Sequence, residues 1–173
     1  MITTGSKVDS VVERLWSPWR HEYIANTSPD RFQGACIFCE AQENPADDEK
    51  NLVLYRGTHN FVILNRYPNI SGHLMVAPFA HIGEFDSAPK ATTDEMMDLV
   101  KRCQSALREA YQPQGFNIGM NLGRVAGAGI ADHIHMHILP RWGGDTNFMS
   151  TVAEMRVLPE DLSTTYQKLY GRI

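Results

Sequence analysis

The stretch Asp132-His133-Ile134-His135-Met136-His137-Ile138-Leu139-Pro140-Arg141-Trp142 decides how the rest of the chain is read. Three histidines alternate with apolar residues, and alternation is the period of a strand. His133, His135 and His137 are expected on one face, with Ile134, Met136 and Ile138 turned toward a core. Side chains two apart along a strand stand roughly 6.5–7 Å apart at the backbone. The expectation is a row of imidazoles, groups that titrate near neutrality, on a stiff support. A solvated strand face gains little from three such rings, so chemistry or metal binding is the expected use. The bland alternative is a polar face that is rich in histidine by chance.

Length and composition bound the rest. The chain has 173 residues, 43% hydrophobic and 21% charged, enough for one domain with a sizeable core. The net charge of −4 opposes a nucleic-acid binder with a broad basic surface, while leaving room for a small phosphorylated ligand. No apolar run reaches the length of a membrane span, and residues 1–10 lack the basic start and apolar block of a signal peptide. A cytoplasmic protein with no nucleic-acid or membrane partner is expected. Residues 1–14 are read as a flexible N-terminus and residues 15–173 as a single domain. Three cysteines cannot all pair within one chain. Cys36 and Cys39 form a Cys-x-x-Cys pair in a loop-like setting, which in a reducing compartment suggests metal or redox work.

Along the chain, residues 52–55 and 61–64 read as strands joined by the turn Gly57-Thr58-His59-Asn60. Residues 44–50 read as a loop. Residues 73–77 make a third strand that Pro78 ends, and a short helix is expected over residues 81–85. Thr92-x-x-Glu95 matches a capping box opening a helix. Met96, Leu99, Val100, Cys103, Leu107 and Ala110 then recur at spacings of three and four, an apolar stripe ending near Tyr111 and Pro113. Residues 115–122 form a fourth strand whose polar face carries Asn117, the bare backbone of Gly119, and Asn121, a face suited to meeting a ligand. A glycine-rich connection over residues 123–129 leads to the histidine strand. Pro159 begins a final helix with Leu162, Tyr166 and Leu169. The order implies α+β: a mostly antiparallel sheet of about five strands, one long helix and a C-terminal helix.

The histidine stretch resembles the signature of the histidine triad (HIT) superfamily, His-φ-His-φ-His-φ-φ with φ apolar. Ile134, Met136, Ile138 and Leu139 fill every φ position. The resemblance implies a HIT-like fold and nucleotidyl transfer or hydrolysis through a nucleotide held covalently on His135. His137 would serve the phosphoryl oxygens, and His133 would be fixed beside the nucleophile. The resemblance also implies a structural Zn²⁺ held by Cys36, Cys39, His81 and His133, in a zinc-binding N-terminal arm. The rival readings are a redox pair, disfavoured because the cysteines do not open a helix after a strand, and unliganded buried thiols. No organic cofactor is implied.

The same resemblance places Asn65 on ribose hydroxyls, His73 beside the catalytic histidines, and Asn121 with the backbone of Gly127 and Gly129 at phosphate. Gly129 departs from the pattern: many members carry Ser or Gln there, four residues before the first triad histidine. Phe61, Ile63 and Leu64 could line the base. Trp16 to Arg20, Trp142 and Asn147 are similar to a branch of bacterial diadenosine-polyphosphate phosphorylases, with Trp142 covering the phosphate end or packing at a subunit contact. The implied substrate is a dinucleoside polyphosphate, with phosphate or water as acceptor. A nucleoside phosphoramidate hydrolase, a metal-dependent hydrolase and a non-catalytic nucleotide-binding regulator are the alternatives. A homodimer through the helix of residues 92–110 is implied as well.

Overall fold

The computed structural model describes residues 36–145 and 160–173. The expectations placed on residues 1–14, the arm from Trp16 to Arg20, Asn147 and Pro159 lie outside them. Five strands form one antiparallel sheet: β1 (Val53–Arg56), β2 (Asn60–Leu64), β3 (Leu74–Pro78), β4 (Gly115–Gly119) and β5 (Met136–Arg141). Their spatial order is β1-β2-β3-β5-β4, so β5 is inserted between β3 and the edge strand β4. The helices are α1 (Ile37–Gln42), α2 (Asp48–Asn51), α3 (Lys90–Tyr111) and α4 (Leu162–Leu169). The fold is the expected α+β architecture.

β2 and β3 are buried on both faces. Val62, Leu64, Leu74 and Val76 meet the stripe of α3, together with Ile134 and Ile138. Phe61, Ile63, Met75 and Ala77 meet Phe38 and Ala41 of α1 on the opposite face. Period-two alternation therefore feeds two cores, one per face. Phe61 and Leu64 are core residues at 0% and 2% exposure, and Leu64 also lines a small cleft with Asn65 and His73. Cys103 is buried in the α3 stripe, where burial raises its thiol to about 12, so it is a small hydrophobe and not a nucleophile.

Several local expectations need correction. Residues 44–50 are not a plain loop but a 3-10 turn, Pro45–Asp47, followed by α2. No helix covers His81; the short turn there is a 3-10 helix at Phe85–Ser87. β4 stops at Gly119, not Leu122. The pair Cys36-x-x-Cys39 does open a helix, with Cys36 at its N-cap and the Glu40 N–H donating to the Cys36 carbonyl at 2.9 Å.

The capping box is also wrong. α3 begins at Lys90 after Pro89, so Thr92 and Glu95 lie inside the helix. The Glu95 carboxylate instead accepts from the backbone N–H of Thr58, His59 and Asn60 at 2.7–2.8 Å, and from the Asn60 amide at 2.8 Å. It closes the β1–β2 turn from across the sheet. Burial alone would raise this carboxyl, but the Asn60 amide and the three backbone donors outweigh it and hold it below the ordinary value. The sign follows: a lowered folded value stabilises above the ordinary carboxylate range, and the contribution is lost as pH falls through the folded value. Glu95→Gln should cost about 1.5–3 kcal/mol at neutral pH, the range for hydrogen bonds to a charged group. Its penalty should shrink in acid, as read by urea unfolding of both proteins from pH 7 downward.

Candidate active site and metal centre

β5 begins at Met136, so His133 and His135 precede it rather than lying within it. The reason is local. The ladder with β3 ends at the pair Val76↔Met136. Beyond it, the His133 Nε2–H donates to the Pro78 carbonyl at 2.8 Å, and the Ile134 N–H donates to the Ile82 carbonyl at 2.7 Å. A side chain and a crossing segment replace the ladder. The alternation persists: Ile134 and Ile138 are core, and the three imidazoles share the opposite face.

The hydrogen bonds assign each tautomer. A carbonyl only accepts, so His135, whose Nδ1 lies 2.9 Å from the His133 carbonyl, carries its proton on Nδ1. Its Nε2 is left with a lone pair. Nε2 has no partner among the described residues, nor is it one of the side-chain atoms buried without a partner, so solvent reaches it. Phe38 packs on both neighbouring rings, 4.8 Å from His135 and 5.1 Å from His133 between centroids. Burial pushes His135 below the ordinary imidazole value, opposed by its bond to the His133 carbonyl. At neutral pH the ring is neutral and its lone pair available.

His137 is assigned through a second histidine. The Asn69 N–H donates to His73 Nδ1 at 3.3 Å, so the His73 proton is on Nε2. That proton is donated to His137 Nδ1 at 2.9 Å, which places the His137 proton on Nε2. His73 is thereby in direct contact with the triad. Asn65 stands behind it, its amide 3.4 Å from His73 Nδ1 and its carbonyl oxygen accepting from the Tyr67 N–H at 2.9 Å.

Cys36, Cys39, His81 and His133 present their four donor atoms within 4.8 Å of one another. Sγ of Cys36 lies 3.3 Å from His133 Nδ1; Sγ of Cys39 lies 3.3 Å from His81 Nδ1 and 3.7 Å from His133 Nδ1. A tetrahedron with two thiolates and two imidazoles has edges of about 3.3–3.8 Å, and these three separations match it. The Pro78 carbonyl keeps the His133 proton on Nε2 and turns the bare Nδ1 toward the sulfurs, the usual arrangement behind a metal-bound imidazole. Burial, with the neighbouring Cys36, raises the Cys39 thiol, the opposite of what a reactive redox cysteine needs. This cluster can hold a metal ion.

Three further candidates are placed differently from expectation. The Trp142 ring packs edge-on against Tyr111 of α3, 6.5 Å between centroids, on the helix-covered side and away from the histidines. The Gly127 N–H is already donated to the Arg124 carbonyl at 3.0 Å inside a 3-10 turn, so it is not a phosphate donor. Asn121 instead reaches the Gly127 carbonyl at 3.4 Å, bracing that turn. Gly129 lies exposed in the same connection. Sequence reading missed Phe38 as the packing partner of two triad rings and the Pro78 carbonyl as the group that orients His133. No local pattern marks either.

Comparison with known proteins adds to this geometry. A family model described as the HIT domain matches residues 47–144. A Mycobacterium tuberculosis protein named AP-4-A phosphorylase is 34% identical over 163 residues, covering 91% of this chain and 83% of its own length. The Bacillus subtilis protein named protein hit is 30% identical, over 80% of this chain and 94% of its own. Among solved structures, a zinc-bound histidine triad family protein from Mycobacterium smegmatis superposes with TM-score 0.63 at 28% identity, covering 80% of this chain and 92% of that one.

Proposed function

Since this chain belongs to the HIT domain family, we propose that it cleaves dinucleoside polyphosphates of the diadenosine tetraphosphate type through a nucleotide carried on His135. The observation that carries this reading is the His135 ring: its Nδ1 proton is held by the His133 carbonyl, and its Nε2 lone pair is open to solvent. Nε2 attacks the α-phosphorus; the Nε2–P bond forms as the bond to the bridging oxygen breaks, and that oxygen leaves with the electron pair. His137, with its proton on Nε2, donates to the phosphoryl oxygens as charge builds there. In the second step an acceptor oxygen attacks phosphorus, the N–P bond breaks and the imidazole recovers its lone pair. Water as acceptor surrenders its proton to solvent; inorganic phosphate retains the nucleotide as a diphosphate.

Asn65 holds the ribose hydroxyls from behind His73, and the exposed backbone at Gly129 faces the phosphates. The metal cluster holds Zn²⁺, whose contribution is to tie α1 to the start of the histidine run. It includes His133 and not His135, which opposes a hydrolytic metal held between those two rings. A second copy of the chain docks on the outer face of α3, where Met97 is 46% exposed.

Phosphate is favoured as acceptor, because the Mycobacterium tuberculosis relative carries the name of a phosphorylase. Product analysis tests the whole reading. Incubation with diadenosine tetraphosphate and phosphate should yield ADP plus ATP, and in water alone AMP plus ATP at a lower rate. No consumption under either condition overturns the function; AMP plus ATP in both overturns only the choice of acceptor.

A further inference from the structure

Gly119 is a glycine the fold does not require. Among the described residues the glycines with positive φ are Gly72, Gly123, Gly127, Gly144 and Gly171, and Gly119 is not one of them. Close packing does not require it either: among the described residues, no heavy atom lies within 4 Å of a Cβ built there. Gly57 is the contrast, since its Cβ would meet the Asn60 carbonyl oxygen at 2.9 Å. Gly119 sits in a strand, where glycine costs backbone entropy and offers no side chain to pack.

Its register is informative. Gly119 stands directly opposite His137 on β5, and His137 stands opposite Met75 on β3. Residues opposed in an antiparallel ladder project to the same face. Across the histidine face the row therefore reads Met75, His137, Gly119. The β3 side of His137 is occupied by His73 and, behind it, Asn65. The β4 side holds bare backbone. For a substrate with its nucleoside over Asn65 and its phosphorus at His135, the described residues leave room for the remainder across β5 and over Gly119.

We propose that Gly119 is a specificity-determining position, whose missing side chain forms the floor for the second half of a bis-nucleotide. This rests on the reading that the histidine face binds nucleotides, and deepens it by naming a substrate with a bulky leaving group rather than a small amine. A β-branched side chain at this position stands in the path of that group. It leaves the nucleoside side untouched.

The test measures binding rather than turnover, by calorimetry, with two probes: AMP and a non-hydrolysable diadenosine tetraphosphate bridged by methylene groups. Gly119→Val should raise the Kd of the bis-nucleotide at least tenfold relative to that of AMP, with Gly119→Ser falling between. Melting temperatures should stay within a few degrees of the parent, because the site is open. An unchanged ratio of the two Kd values in folded Gly119→Val overturns the proposal while the nucleotide reading stands. Failure of the parent protein to bind AMP overturns both.

Discussion

His135→Gly should lower kcat on diadenosine tetraphosphate by about 10⁴-fold or more, the usual scale for removing a covalent nucleophile. That loss corresponds to at least about 5.4 kcal/mol of transition-state stabilisation. The expectation is this large because Nε2 of His135 makes the first new bond, and no neighbour can substitute. His133 has its Nδ1 turned to the cysteines and its Nε2–H given to Pro78. His137 has its Nδ1 engaged by His73. Glycine leaves a ring-sized gap beside Phe38, so free imidazole in the buffer should restore part of the rate, as a diffusible nucleophile entering the same space. Quenched parent enzyme should carry one nucleotide on the peptide containing His135, and the variant none. Undiminished consumption by a folded variant would dispose of the mechanism.

What the chain discloses in its sequence follows the range of the interactions involved. The histidine face was legible because alternation over residues 133–138 needs only neighbouring residues, and it survives where the ladder does not. The α3 stripe was legible for the same reason, and Met96, Leu99, Val100, Cys103 and Leu107 are all buried. The four-residue metal cluster was reachable only through family resemblance, since its members lie far apart in the chain; the structure brings the four donors together. Errors arose where a local pattern was overruled from a distance. Thr92 and Glu95 have the spacing of a cap, yet Glu95 spends its carboxylate on donors 35–37 residues earlier. Gly127 looks like a phosphate cradle until its N–H is found inside a turn. Trp142, by contrast, lies five residues past His137, so the same alternation that sets the histidine face turns its ring to the opposite side, against Tyr111 of α3.

Removal of the metal should destabilise the protein more than any surface change. Cys39→Ser is expected to lose about 3 kcal/mol, which for a chain of this size lowers Tm by about 6–12 °C. The cluster joins α1 to a segment 42 residues away at His81 and to another 94–97 residues away at His133. Phe38 against His133 and Gln42 on the Phe79 carbonyl add to these ties, but the four-donor cluster joins both segments at one point. α1 also buries Phe38 and Ala41, at 1% and 7% exposure, so its detachment would uncover one of the two cores. Without a cation, burial and the adjacent Cys36 oppose ionisation of Cys39, leaving thiols that contribute little. Protons compete for the same four donors, so the stabilisation should weaken as pH falls. Chelator added to the parent protein should reproduce the lowered Tm and release about one equivalent of zinc per chain, read by a colorimetric zinc dye. Chelator added to Cys39→Ser should shift its Tm little further, because the site is already broken. A parent protein that holds no zinc, or whose Tm ignores its removal, would leave α1 anchored by the packing of Phe38 and Ala41 and by the bonds of Gln42 to the Phe79 carbonyl and of Arg56 to the Gln42 carbonyl, and would end the case for a structural metal.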